Sequence, residues 1–208
     1  MGDIILEKSV ITPKGEVLVF GPASSDIIAG LDMDRGLRAF RPPEPQKRAL
    51  QMIAEPGIGR VYLATTGNII SGYVTFHEPE PDSRFIQRGL KFVLELGAIE
   101  VATGWRKYGL GKSLLEVAYR DDFFEDYIVI SSHYSWHWDL EGAGLSMIDY
   151  KKMLSKLMQT GGMEKRGTDD PEIISHPANF MKARIGKRIT PEQVVAFESC
   201  LYKHMWMI

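Results

Sequence analysis

Val101-Ala102-Thr103-Gly104-Trp105-Arg106-Lys107-Tyr108-Gly109-Leu110-Gly111-Lys112-Ser113 joins an apolar run to a helical one. Upstream, Phe92 to Ala102 is long and mostly apolar, interrupted by Glu95, Gly97 and Glu100, and reads as a central strand. Downstream, Leu114, Leu115 and Ala118 share one face of a helix that starts near Gly109. A helix opening at a glycine turn leaves its first amides without internal partners, and with the positive end of the dipole they form an anion site. Glycines let the backbone approach a ligand closely, and Lys107 and Lys112 add charge. A diphosphate suits such a turn. The stretch lacks the Gly-Lys-Ser ending at the spacing of a P-loop and the G-x-G-x-x-G of a dinucleotide fold.

Around this centre the chain alternates strands and helices. Ile4 to Val10 and Glu16 to Phe20 predict a hairpin about the turn Thr12-Pro13-Lys14-Gly15, and Gly59 to Thr65 with Ile69 to His77 predict another about Thr66-Gly67-Asn68. Pro22 to Gly30 reads as a short helix, Arg41 to Pro45 as a loop because of its three prolines, and Gln46 to Glu55 as a helix. Tyr127 to Ser131 follows as a strand and Leu145 to Leu157 as an amphipathic helix stopped by Gly161-Gly162. Beyond Met163 the pattern is irregular and basic until a last helix opening at Thr190-Pro191-Glu192. Lys165-Arg166 and Lys182 to Arg188 suit an acidic partner surface.

A chain of 208 residues that is 44% hydrophobic can bury a full core as one domain. Its 25 Lys and Arg against 27 Asp and Glu give a net charge of -2, which supplies no field to gather nucleic acid or an anionic membrane. The single cysteine, Cys200, forms no internal disulfide, and no apolar run is long enough to span a membrane. A cytoplasmic protein is expected.

Arg106-x-x-Gly109-x-Gly111, with Val101 five residues before the arginine, matches the R/Q-x-x-G-x-G/A motif of the GNAT superfamily, and the chain resembles those N-acetyltransferases from Phe92 to Ser131 in motif and over most of its length in element order. The resemblance implies an α/β fold, a three-layer sandwich whose mixed, strongly curved sheet is flanked by helices and splayed between its central strands. It implies one domain over 1–208, with 164–208 as a family-specific extension. Acetyl-CoA would enter the splay, its pantetheine arm pairing with the backbone of Ile99 and Val101. Its diphosphate would be held by Arg106, Lys107, Tyr108, Gly109, Leu110, Gly111, Lys112 and Ser113.

A lysine amine, with a reference pKa of about 10.4, needs a base before it can attack a thioester. Glu95 stands six residues before Val101, the offset of the catalytic glutamate in the superfamily's protein-lysine acetyltransferases, and its apolar neighbours Leu94 and Leu96 would raise its pKa by desolvation. Glu100 is the alternative base, and alternation sends it to the opposite face from Glu95. For either, the ordinary role is a carboxylate paired on the sheet face. The family's usual leaving-group tyrosine aligns with Met158, so Tyr134 and Tyr150 are the substitute acids. Within Ser132 to Asp139, Trp136, His137 and Trp138 suit a substrate-facing wall or buried aromatic packing. No metal is expected, since no His-Glu-x-x-His pattern accompanies His133 and His137.

That tract also resembles a narrower group of superfamily members whose acceptor is an active-site lysine of acetyl-CoA synthetase. The partners implied are that protein substrate and, as an open alternative, a second copy of the chain, without nucleic acid or membrane. A small-molecule amine acetyltransferase and a non-catalytic acetyl-CoA sensor are the competing readings.

Overall fold

The computed structural model describes residues 4–203. In chain order they form β1 (Leu6–Thr12), β2 (Gly15–Gly21), α1 (Ser25–Ala29), β3 (Asp32–Met33), α2 (Pro43–Ile53), β4 (Gly59–Thr66), β5 (Ile69–His77), α3 (Arg84–Gln87), β6 (Val93–Val101) and α4 (Leu110–Ala118). There follow β7 (Ile128–His133), α5 (Leu140–Ala143), α6 (Met147–Thr160), β8 (Glu164–Arg166), α7 (Pro171–Ile174), β9 (Phe180–Ile185) and α8 (Pro191–Leu201). Parallel and antiparallel pairings both occur, and the class is α/β, a mixed sheet flanked by helices. The chain divides into two compact units, one running to His77 and resuming over Leu96–Asp121, the other made of Glu78–Glu95 and Asp122 onward.

In the first unit β1, β2, β4 and β5 pair antiparallel in that order, β3 adds in parallel to β5, and β6 lies beside β5. Its core gathers Ile28, Leu50, Leu63, Ile70 and Tyr73 with no exposed surface. The helix α2 starts at Pro43, earlier than expected. Proline is excluded from helix interiors, but Pro43 and Pro45 sit in the first turn, where no amide has an intrahelical partner to lose.

The strand β6 departs from simple alternation. β5 keeps unbroken register with β4 from Tyr73 to His77, so those two side chains share a side. A Cβ built on Gly97 would run into the His77 imidazole, with Cδ2 and Cε1 3.0 Å away. Glu100, three residues on, receives the Tyr73 hydroxyl at 2.6 Å, and Ala98 and Ala102 pack against the cluster holding Tyr73. Gly97 and Glu100 therefore face the same side, which requires one extra residue between them, a β-bulge. This corrects the expectation that Glu100 lies on the face opposite Glu95.

In the second unit β7 pairs in parallel with the start of β6, Val93 opposite Ile128 and Glu95 opposite Ile130, where the ladder ends. β7 also pairs antiparallel with β9, and β9 with β8. Phe85 of α3 stacks on Phe197 of α8 at 5.5 Å in a core that includes Val93 and Ile128; full burial of such a side chain contributes roughly 1.5–3 kcal/mol. Thr190 and Gln193 close a capping box at the start of α8.

Residues 164–203 belong to this second unit and are more regular than expected, containing β8, α7 and β9. The basic segments had concealed a strand. Lys182 is 2% exposed and donates to the carbonyls of Ser155 (2.9 Å) and Met163 (3.5 Å), while Arg184 pairs with Glu125 and Arg188 with Asp122 and Asp126. These cations are engaged inside the unit, so the expected basic surface for an acidic partner is not formed by Lys182, Arg184 and Arg188.

Candidate functional site

The turn between β6 and α4 has a constrained backbone. Arg106 is extended at φ -65° and ψ 158°, Lys107 is left-handed at φ 71°, and Gly109 is left-handed again at φ 78°. Among the described residues Lys107 is the one non-glycine with positive φ, a conformation that costs energy and recurs at ligand sites. Left-handed Gly109 followed by helical Leu110 has the alternating hand that turns successive amides toward one concavity, the geometry of an anion nest. No side chain caps α4 and no acidic residue lies in its first turn. Ser113 N bonds to Gly109 O at 3.0 Å, so helical geometry leaves the amides of Leu110, Gly111 and Lys112 at the open end. Ser113 itself is buried.

Charged side chains brace this turn. Arg106 Nε donates to Val101 O at 3.4 Å, tying the arginine to the end of β6. Lys14, from the turn between β1 and β2, donates to Gly104 O at 2.6 Å and sits 5.5 Å from the Trp105 ring, whose Nε1 donates to Asp34 at 3.2 Å. Lys112 is 59% exposed and shares Glu116 with Lys8, which holds that carboxyl below the usual carboxylate range. Open amides, left-handed turn residues and the absence of acid in the first helical turn fit the linked phosphates of a coenzyme.

The two carboxylates of β6 differ. Glu100 is 5% exposed; Oε1 accepts from the amides of Arg38 (2.7 Å) and Ala39 (2.8 Å), and Oε2 from the Tyr73 hydroxyl. Burial, then this carboxylate, pushes the Tyr73 phenol far above its ordinary range. Both oxygens of Glu100 are engaged, Oε1 by the 38–39 backbone and Oε2 by the Tyr73 hydroxyl. Glu95 is half-buried, and alternation places it on the side of Gly97.

The aromatic tract divides in two. Tyr134 stacks on Trp136 at 4.9 Å and meets His137 edge-on at 6.0 Å; Trp136 is 54% exposed and His137 also faces solvent. Burial pushes the Tyr134 phenol up to about 12, with Asp170, Glu172 and Glu95 acting in the same direction and a Ser132 hydrogen bond opposing. Trp138 instead stacks on Tyr150 at 5.3 Å and meets Phe180 edge-on. His133 stacks on Phe180 at 4.5 Å, and burial, then the Lys182 charge, depresses it to about 4. Met158 is fully buried. Among the described residues no group of three or more His, Cys, Asp or Glu side chains gathers to hold a metal, and no helix is long and apolar enough to cross a membrane. A groove of about 850 Å³ along α6, lined by Met147, Ile148, Lys151, Lys156 and Pro177 among others, contains none of the expected site residues.

No family model matches the chain. The fold is shared with a GNAT-family acetyltransferase of Streptococcus pneumoniae, at a TM-score of 0.53 and 15% identity over 82% of this chain and 99% of that one. The acetoin utilization protein AcuA of Bacillus subtilis is 41% identical over 199 residues, 96% of this chain and 95% of the relative. The crystal structure of an acetoin utilization protein from Exiguobacterium sibiricum matches at a TM-score of 0.93 and 44% identity, covering 97% of this chain and 96% of that one. The chain belongs to the AcuA family of acetoin utilization proteins, built on the GNAT fold.

Within this AcuA-family chain, Ile99, Val101 and the turn from Arg106 to Ser113 lie in the first unit, and Glu95, Tyr134, Trp136, His137, Trp138 and Tyr150 in the second. Sequence reasoning missed Lys14 and His77. Lys14 carries no local signal, since its partner at Gly104 is 90 residues away. His77 had one: a glycine inside an apolar strand marks a close approach, and Gly97 is where the imidazole lies.

Proposed function

We propose that this AcuA-family enzyme transfers the acetyl group of acetyl-CoA to a protein lysine, an active-site lysine of acetyl-CoA synthetase, and so inactivates that enzyme in acetate and acetoin metabolism. The observation carrying the cofactor assignment is the uncapped start of α4 behind the left-handed residues Lys107 and Gly109. Amides from Arg106 to Lys112, including those of Tyr108 and Leu110, hold the diphosphate, and the backbone of Ile99 and Val101 aligns the pantetheine arm. Support for the metabolic setting is the relative's name, an acetoin utilization protein. The two compact units work as one acetyltransferase domain, in the cytoplasm with the synthetase.

Glu95 serves as the base for the incoming ammonium, directly or through water. As the lone pair of the freed amine forms the bond to the acetyl carbonyl carbon, that nitrogen gives up its second proton to solvent, the carbon–sulfur bond breaks and its electron pair leaves on sulfur. Tyr134, whose phenol stays protonated at neutral pH, is the acid for that thiolate. Glu100 is set aside as base by its three hydrogen bonds, and Tyr150 as acid by its packing on Trp138. Trp136 and His137 offer exposed aromatic surface to a protein acceptor. Acetylation strips the acceptor lysine of its charge and nucleophilicity, which silences a synthetase that relies on it.

The test is to mix purified enzyme, acetyl-CoA and acetyl-CoA synthetase and follow free CoA together with mass spectra of the synthetase. CoA release matched by one acetylated active-site lysine supports the proposal. Turnover on small amines alone would move the assignment to a small-molecule acetyltransferase. Binding of acetyl-CoA with no turnover on any acceptor would make the protein a sensor.

A further inference from the structure

We propose that the groove along α6 is a docking site for the protein acceptor, and that it takes an acidic amphipathic helix from that protein's surface. The inference rests on the acetyl-transfer reading above and deepens it.

The groove lies wholly within the second unit. It encloses about 850 Å³, and its residues on α6 run from Met147 to Gln159, about 18 Å along the helix axis. Its floor is apolar: Met147, Ile148 and Pro177 line it, and Ile148 is 68% exposed. An aliphatic side chain left that open gains by being covered.

Its charge is of one sign. Lys151, Lys152 and Lys156 line it, and among the described residues that do so none is a carboxylate. Lys152 shares the exposed Asp149 at 3.4 Å, a contact that water leaves weak. Among the described residues the Lys156 ammonium has no hydrogen-bond or ion-pair partner. A fourth lysine stands beside these three. Lys165 of β8 is directly opposite Lys182 of β9, and side chains so paired project to one face. The Lys182 ammonium reaches the Ser155 carbonyl of α6, so Lys165 points to the side of the sheet on which α6 packs. Burial, and then the Lys165 charge, holds the Lys151 ammonium below the ordinary lysine range. The two cations repel, and a carboxylate brought between them would relieve both.

These observations choose the occupant. Small-molecule sites converge a few polar groups on one spot, whereas lysines spread along a helix match an extended partner. A concave apolar floor receives side chains, whereas a membrane is met by apolar groups that project into it. A helix of about three turns, with apolar residues at i, i+3 or i+4 and i+7, fills a groove of this length. Asp or Glu residues flanking that stripe would meet Lys151, Lys156 and Lys165. The groove also continues into the aromatic tract assigned above to the acceptor: His176, which lines it, is 3.2 Å from the hydroxyl of Ser135, the residue between Tyr134 and Trp136.

The experiment measures acetylation of acetyl-CoA synthetase by wild-type enzyme, Lys156→Glu/Lys165→Glu, Lys156→Gln/Lys165→Gln and Ile148→Ser. For the double reversal the KM for the synthetase is expected to rise about tenfold or more, with kcat and the KM for acetyl-CoA within about twofold, because charges at a docking surface set encounter and register. The double neutralisation should raise it about threefold. The wild-type KM should climb between about 50 mM and about 300 mM salt as screening grows, and both double variants should flatten that climb. Ile148→Ser should raise the KM about fivefold and keep the wild-type salt dependence, since it removes covered apolar surface and no charge. Thermal melts identify any variant that fails to fold, and the glutamine pair, at two exposed positions, then carries the comparison. An unchanged KM for the synthetase in a folded double variant overturns the docking site alone, even where that variant has lost binding to phosphatidylglycerol vesicles or to a second copy of itself. Absence of wild-type turnover on the synthetase overturns both this site and the acetyl-transfer reading.

Discussion

Glu95 and Glu100 are five residues apart on one strand; Glu100 is buried and hydrogen-bonded, and Glu95 is half-buried and is the base proposed above. Glu100 spends its oxygens on two amides and the Tyr73 hydroxyl inside the core, so removing its charge should strike folding. Glu100→Gln replaces one acceptor oxygen with a donor facing donors, and a loss of about 1–3 kcal/mol is expected by urea unfolding, with kcat in the surviving folded fraction within a few-fold. For Glu95→Gln the expected change is in turnover: kcat lower by about 10²–10⁴-fold, with acetyl-CoA binding retained. A Glu100→Gln enzyme of normal stability and abolished turnover would exchange the two roles. Residue spacing brought both carboxylates to notice, since the offset from Val101 is visible in one dimension. It could not tell them apart, because the deciding contacts come from residues 38, 39 and 73 and from a bulge that hydrophobic alternation does not record.

The β6–α4 connection shows how an element's end, as much as its side chains, makes a site. Its apolar strand, glycine turn and helical stripe were legible because each leaves a short-range pattern: Leu114, Leu115 and Ala118 are all buried on α4. The strand β9 was illegible for the complementary reason. Lys182 and Arg184 read as solvated charges, and only carbonyls and a carboxylate distant in sequence make burial of one and pairing of the other tolerable. The first turn of α2 was missed because a rule against proline holds for helix interiors and lapses at the N-terminus. At Gly109 no heavy atom lies within 4 Å of a Cβ built there, so alanine meets open space and only the left-handed backbone resists it. Gly109→Ala should therefore cost about 1–2 kcal/mol of local strain. If the turn relaxes instead, the aimed amides are lost, and the KM for acetyl-CoA is expected to rise about tenfold with kcat less affected. Calorimetric binding of CoA to Gly109→Ala checks this, and unchanged affinity would remove the diphosphate from this turn.

The chain as a whole carries a built-in sensitivity to acid, centred on His133. This imidazole is enclosed by the Phe180 ring, accompanied by the Ser131 hydroxyl at 3.1 Å, and depressed to about 4 first by burial and then by the Lys182 charge. In the unfolded chain a histidine titrates near 6.5. Above that pH both states are neutral at this position and its contribution is fully present. As the pH falls from about 6.5 to about 4, the unfolded chain binds a proton that the folded chain refuses, so stability drops, and below the folded value the loss levels off. Linkage puts the loss at about 3 kcal/mol. The carboxylates of Glu116 and Asp126 are held below their ordinary range chiefly by hydrogen bonds from Lys8 and Arg188, and they lose stability at lower pH, as they protonate. The two windows can be separated by variant. His133→Gln should lower stability at neutral pH by losing the ring's packing on Phe180, yet flatten the dependence between about pH 6.5 and pH 4 while leaving the steeper fall below it. Urea unfolding across that range, wild type against His133→Gln, reads the difference directly. Equal slopes would mean that His133 is charged in the folded protein, which would require its proton to be accommodated beside Lys182.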